Sequence, residues 1–352
     1  MEHYINTLVH TLMHALLITT FVLGMMLLVE YLTVQTKNRF IGGLSKNIWV
    51  QVLLAGLLGI VPGCLGTFFA VTLYVHKVIN FAALTTVMIA TSGDEAYVMF
   101  ATMPDKALWI NALLFAIAVA TGFILNIFLK DRNFSGIKVN HLRYHGEGES
   151  CYCFNKEEFK DHMRNITFHR ALLIVVITLL LIFMLAGQFG PKEWNYVKIT
   201  LLVIMLFGLF VVVTVPDHFL DEHVWNHTIK KHLPRIFLWT FGALLIIEIL
   251  LPWLNITQET MEQIAAKYYW LILLVAVLIG IIPESGPHMV FVLLFAKGLL
   301  PLSVLLANSI VQDGHGSLPL LAESKKSFLY TKLINMAVAV LVAAIMHYGF
   351  NV

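Results

Sequence analysis

Six apolar runs, each near the length that crosses a bilayer, constrain this chain more than any other feature: Thr7–Leu32, Lys106–Leu129, Arg170–Gln188, Tyr196–Val215, Leu233–Leu254 and Phe328–Tyr348. A helix of about 20 apolar residues spans the roughly 30 Å of hydrocarbon. Lipid offers no partner to a backbone amide, so each run must satisfy its own hydrogen bonds as a helix. With 59% apolar and only 12% charged residues, the chain lacks the polar surface of a soluble domain, which is about a quarter charged. A formal net charge of +2 gives no basic stripe for nucleic acid. The class is therefore an all-α polytopic membrane protein with about ten transmembrane segments. Two further regions, Ile48–Met103 and Tyr269–Glu323, are too long for one crossing and are interrupted by Pro and Gly, so they read as broken or re-entrant helices. The first run has no basic residue before it and no small-residue cleavage site, which reads as a retained helix and not a signal peptide.

Basic residues orient the spans. Seventeen of the 23 fall in four segments: Lys37, Arg39 and Lys46; eight between Lys130 and Arg170; Lys230, Lys231 and Arg235; and Lys325, Lys326 and Lys332. All four segments face the cytoplasm if both termini lie outside and each broken region makes an odd number of crossings.

The chain also resembles itself. Gly59-Ile60-Val61-Pro62 aligns with Gly280-Ile281-Ile282-Pro283 at an offset of 221, and the same offset places Ser92-Gly93-Asp94 on Asp313-Gly314-His315. At an offset of 218, His14, Gly24 and Glu30 align with His232, Gly242 and Glu248. Two repeats of opposite orientation, a common transporter plan, divide the chain as follows. Residues 1–132 are the first inverted repeat, 133–169 a cytoplasmic His/Cys loop, 170–215 two extra transmembrane helices, 216–231 an interfacial His-rich segment, and 232–352 the second inverted repeat.

Irregular backbone at membrane depth is tolerated only inside protein or along a wet cavity, so the repeated breaks are the candidate substrate site. They carry Asp94, Glu95, Glu284 and Asp313 with His288 and His315. Ionisable groups within spans cost from about 2.5 to over 10 kcal/mol and normally mark a pathway or a coordination site. No Lys, Arg or Cys lies in the motifs as read, so a cation is favoured over an anion, and a hard or borderline divalent ion over Cu⁺. Oxygen and imidazole donors together suit Mn²⁺, with Fe²⁺, Co²⁺ and Zn²⁺ close behind. The alternative is that these acids only cap broken helices.

Secondary candidates for metal binding or gating are Glu30, Glu248, His14 and His232, carried by the paired helices. His218 with Glu222, and His223 with His227, stand four apart on what reads as a short interfacial helix, a spacing that places each pair on one face. Cys151 and Cys153 form a Cys-x-Cys pair in the central loop, where a flexible segment with adventitious ligands is the competing reading.

These motifs together, Ser92-Gly93-Asp94-Glu95 after the Pro62 break, Pro283-Glu284-Ser285-Gly286-Pro287-His288, Gln312-Asp313-Gly314-His315-Gly316 and the segment from Asp217-His218 to His232, resemble the ten-transmembrane heavy-metal exporters of bacteria. That family also carries the labels manganese transporter and arsenic-efflux-like permease. The resemblance spans nearly the whole chain and implies export of a metal or metalloid across the bacterial inner membrane. The expected function is thus a secondary transporter, not an enzyme, exporting a divalent transition metal, foremost Mn²⁺, by alternating access with protons as a natural counter-ion. No Gly-x-x-x-x-Gly-Lys-Ser/Thr run is present for ATP. The expected partners are the metal cargo and the bilayer, with no nucleic acid, no required resident cofactor, and a homo-oligomer compatible with the chain. Two alternatives stand: an arsenical or oxyanion permease that would hold its anion at half-helix N-termini, and an intramembrane metalloenzyme, for which a His-Glu-x-x-His helix is missing.

Overall fold

The apolar runs form long helices, and no strand occurs among the described residues of this computed structural model, which are 2–43, 48–75, 78–129, 166–194, 196–253 and 257–350. Five helices among them are long and apolar enough to cross a membrane, or six when a pair bent by 86° between Lys267 and Tyr269 is taken as one span. Large apolar side chains point outward, Trp109 and Phe128 at 78% and 80% exposure, as lipid-facing residues do. The central loop, with Cys151 and Cys153, lies outside the described residues. The chain forms two units, one of Met1–Asn38 with His145–Ile249, the other of Arg39–Tyr144 with Leu250–Val352.

The first unit holds α1 (Glu2–Gly43), α7 (Phe168–Leu185), α8 (Tyr196–Thr214) and a helical run that begins at Asp217. In that run a short α9 (Asp217–Phe219) leads into a π-helix, Leu220–His232, followed by α10 (Leu233–Leu245) and a π-turn, Ile246–Leu250. The segment expected to be a separate interfacial helix is therefore the start of a long continuous helix. The π-helical register joins residues i and i+5, and His227 pairs in it with His232, whose rings lie 4.5 Å apart; the side chain of His223, expected to pair with His227, lies outside the described residues. Thr11 in α1 donates to Glu248 (2.8 Å), and Thr228 donates to Glu30 (3.0 Å). Because low numbers meet high ones at both ends, α1 runs antiparallel to the continuous helix Asp217–Ile249, which takes the name α10 from its central part.

Arg170, which the charge pattern assigned to the loop, is fully buried. Its guanidinium donates to the carbonyls of Val212, Val213 and Val215 and pairs with Asp217 at 2.7 Å. It thus caps α8, where the last carbonyls have no partner within the helix.

The second unit comprises α2 (Ile48–Gly59), α3 (Leu65–Val75), α4 (Phe81–Ala90), α5 (Glu95–Thr102) and α6 (Pro104–Phe128), then a short α11 (Leu251–Trp253), α12 (Gln258–Lys267), α13 (Tyr269–Gly280), α14 (Gly286–Ala296), α15 (Leu302–Val311), α16 (Leu318–Glu323) and α17 (Lys325–Phe350). The two expected broken regions are indeed chains of short helices, none of which in α2–α5 exceeds 12 residues. At 1.5 Å per residue such a helix reaches about 18 Å and falls short of the hydrocarbon thickness. The bounds of α2, α3 and α4 and the start of α6 recur 221 positions later in α13, α14, α15 and α17. Packing recurs with them. A Cβ on Gly59 would meet Val87 and Ala90, and one on Gly280 would meet Val311 and Asn308, the same neighbours shifted by the same 221. Glycine at these positions lets each pair of helix backbones approach closely.

Candidate functional site

Each broken region is opened by the chemistry of its residues. Pro62 and Pro283 lack the amide that would continue the helical ladder, and Gly63, Gly93 and Gly314 take φ of +91°, +51° and +53°, a left-handed region closed to most side chains. The freed groups find partners within the unit. Gly63 N–H donates to the Gly93 carbonyl (2.9 Å), and the Tyr97 hydroxyl to the Pro62 carbonyl (2.9 Å). These contacts tie the first two breaks together. A Cβ on Gly314 would stand 2.7 Å from Ser285 Oγ and 3.8 Å from Cys64 Sγ, and one on Gly93 would stand 3.5 Å from Gln312 Oε1. All four breaks therefore meet at one place, and α5 packs on α14 while α16 and the 3₁₀ turn Gly314–Ser317 pack on α3.

Three ligand groups converge there. Cys64 Sγ, a carboxylate oxygen of Asp94 and an imidazole nitrogen of His315 lie within 4.8 Å of one another. Ligands about 2.0–2.3 Å from a tetrahedral ion are about 3.5 Å apart, so small rotamer shifts would close this set around a metal. Glu284 Oε2 stands 3.3 Å from His315 Nε2, in the position of an outer carboxylate that orients a ligand imidazole. Cys64 and Asp94 are buried, whereas His315 and Glu284 are partly open.

Beside this set lies a second buried pair. His288 Nε2 is 3.2 Å from the Ile282 carbonyl, which can only accept, so Nε2 carries the hydrogen. In the neutral ring Nδ1 then presents a lone pair, and it faces Glu95 Oε1 at 4.0 Å. Neither atom has a hydrogen-bond donor, and two facing acceptors call for a proton, a cation or a bridging water between them. The other Glu95 oxygen accepts from Ser309 at 3.4 Å.

Asp313 is placed differently from the other three acids. Its Oδ2 pairs with Lys332 Nζ at 2.7 Å and its Oδ1 accepts from Asn335 at 3.2 Å, all fully buried. Lys332 also donates to the carbonyls of Gly280 (3.2 Å) and Val311 (2.7 Å), the C-termini of α13 and α15. The charge pattern put Lys332 on a cytoplasmic flank; instead it is the internal cation that offsets one site acid.

Sequence reasoning thus missed Cys64 and Lys332. The offset of 221 could have found both. It places Cys64 on Ser285, already part of a motif, and Asn111 on Lys332, and the Ser92–Asn111 contact at 3.4 Å occupies the place of the Asp313–Lys332 ion pair.

The secondary candidates separate into pairs of their own. Glu30 joins His227 (3.0 Å), and His227 joins His232 (3.3 Å). Glu248 joins His14 and also His10, which had not been singled out. His218 and Glu222 form an exposed i, i+4 pair at 3.5 Å.

Residues 3–350 match the family model described as "Putative, 10TM heavy-metal exporter". The chain belongs to that family. No curated protein and no solved structure matches it. Membership makes this chain a multi-pass membrane protein of a heavy-metal exporter family.

Proposed function

We propose that this exporter carries a divalent transition-metal ion across the bacterial inner membrane by alternating access, with Cys64, Asp94 and His315 as ligands and Glu284 steering the imidazole. The observation that carries this reading is the convergence of one sulfur, one oxygen and one nitrogen donor at the junction of four breaks. Oxygen and imidazole donors alone favoured Mn²⁺, but a thiolate changes the balance. A mixed S/N/O set suits Zn²⁺ and Co²⁺ better than the harder Mn²⁺. The Glu95–His288 pair stands close by as a second polar station on the path. Protons are the counter-ion of this reading, because thiol, carboxylate and imidazole take up protons when a metal leaves. Opposed repeats supply the rocking element.

Flux into proteoliposomes holding a metal-sensitive dye tests this, with Zn²⁺, Co²⁺, Mn²⁺ and arsenite offered separately. Zn²⁺ or Co²⁺ flux should fall at least tenfold in Cys64→Ser and in Asp94→Asn, and should weaken when an ionophore collapses the pH gradient. Metal flux unchanged in both variants overturns the site. Preferred Mn²⁺ flux that ignores Cys64→Ser returns the reading to an oxygen and imidazole site, and flux of arsenite alone makes the protein a metalloid permease.

A further inference from the structure

We infer that the antiparallel pair α1/α10 carries a second metal site, formed by His10, His14 and Glu248, which shares no residue with the site at the breaks. His10 and His14 are one helical turn apart, with ring centroids at 4.3 Å. One nitrogen of each and a Glu248 oxygen all lie within 4.8 Å of one another, and His10 Nδ1 stands 3.7 Å from Glu248 Oε2. The Thr11 hydroxyl stands 2.8 Å from the same carboxylate and 2.8 Å from the Thr7 carbonyl, sharing its one hydrogen between them, the place that an outer partner of a metal ligand takes. Two imidazoles and a carboxylate form an N₂O set for a borderline divalent ion such as Zn²⁺ or Co²⁺, with a fourth position left for water.

The same residue set recurs at the other end of the helix pair, which argues against chance. His227, Thr228 and His232 with Glu30 repeat His10, Thr11 and His14 with Glu248, except that the second histidine comes one residue later. The π-helix Leu220–His232 absorbs that residue, since i and i+5 share a face in it. π-helices hold well under 1% of residues and gather at functional sites. At the Glu30 end the groups close on one another in a hydrogen-bonded row; at the Glu248 end the ligand atoms converge on one point. His10 and Glu30 are 20 residues apart along α1, about 30 Å, so the two clusters stand near opposite faces of the membrane. His10 is 64% exposed, open to an ion at that face.

Equilibrium dialysis of the purified full chain in lipid nanodiscs against Co²⁺, with the visible spectrum recorded, tests the site. The wild-type protein should bind two equivalents. His10→Ala/His14→Ala should bind one, and Cys64→Ser/Asp94→Asn should lose the other. Thr11→Val, which keeps the shape of the side chain, should weaken the His10 equivalent about tenfold and guards against misreading a folding defect. Two full equivalents in His10→Ala/His14→Ala overturn the inference. So does loss of both equivalents there with gel filtration unchanged, because the site would not be separate. Loss only in the histidine variant, with none in Cys64→Ser/Asp94→Asn, upholds this site and removes the one at the breaks.

Discussion

Lys332 has three N–H donors, and the second unit meets them with three acceptors: the carbonyls of Gly280 and Val311 and the carboxylate of Asp313. No donor of this buried ammonium is left over, so its desolvation is offset at every hydrogen. The same side chain satisfies the last carbonyls of two helices, as Arg170 does for α8 in the first unit. Breaking one partner of such a pair strands the other charge and costs about 3–5 kcal/mol. Asp313→Asn and Lys332→Met should therefore each lower the melting temperature of the purified protein sharply, while the double variant should recover part of the loss. A double variant as unstable as the sum of the singles would show that the ion pair contributes nothing beyond the separate caps. At this scale the sequence shows which residues are ionisable but not which of them meet, because Asp313 and Lys332 lie 19 residues apart on different elements. That separation is why a charge count alone assigned Lys332 to the surface.

Helix breaks were the most legible elements, because Pro and Gly act on their own backbone and need no distant partner. The Gly-x-x-Pro and Ser/Asp-Gly pairs announced where α2, α4, α13 and α15 end. The π-helix was illegible for the opposite reason: no local residue type specifies i→i+5 bonding, and its register shows only when His227 and Thr228 reach Glu30 on a neighbouring helix and His232 meets His227. Cys64 was hidden by its apolar, unremarkable surroundings in the chain, and only the convergence of distant breaks gives it Asp94 and His315 as neighbours. Two of the left-handed glycines offer an element-scale test. Gly93→Ala meets only ordinary contacts, so its cost is conformational, about 1–2 kcal/mol. Gly314→Ala adds a clash with Ser285 Oγ and should melt several degrees lower than Gly93→Ala. Combining it with Ser285→Ala should restore the difference. Equal melting of the two single variants would mean that the breaks are looser than their packing implies.

For the whole molecule the decisive relation is reciprocity. α5 packs on α14, and the equivalents of those two elements, the turn with α16 and α3, pack on each other. Glu95 faces His288, and their equivalents at the offset of 221, Gly316 and Thr67, also touch. Contacts of the form i to j+221 matched by i+221 to j are the signature of a two-fold relation, in which each half gives the other what it receives. In the first unit, the offset of 218 relates α1 to α10, and those helices run antiparallel. Helices that both cross a bilayer and run antiparallel enter it from opposite sides. On this ground we propose that the repeats are inverted, with the two-fold axis in the membrane plane. Asp105 and Lys326 provide a direct test, since they are equivalent by the 221 offset, begin α6 and α17, and are both exposed. With Cys151 and Cys153 replaced by Ser and the buried Cys64 retained, Asp105→Cys and Lys326→Cys should react with a membrane-impermeant maleimide from opposite sides of oriented vesicles. Labelling of both from one side would place the axis along the membrane normal, leaving the two halves parallel and the breaks without the opposed motion that alternating access requires.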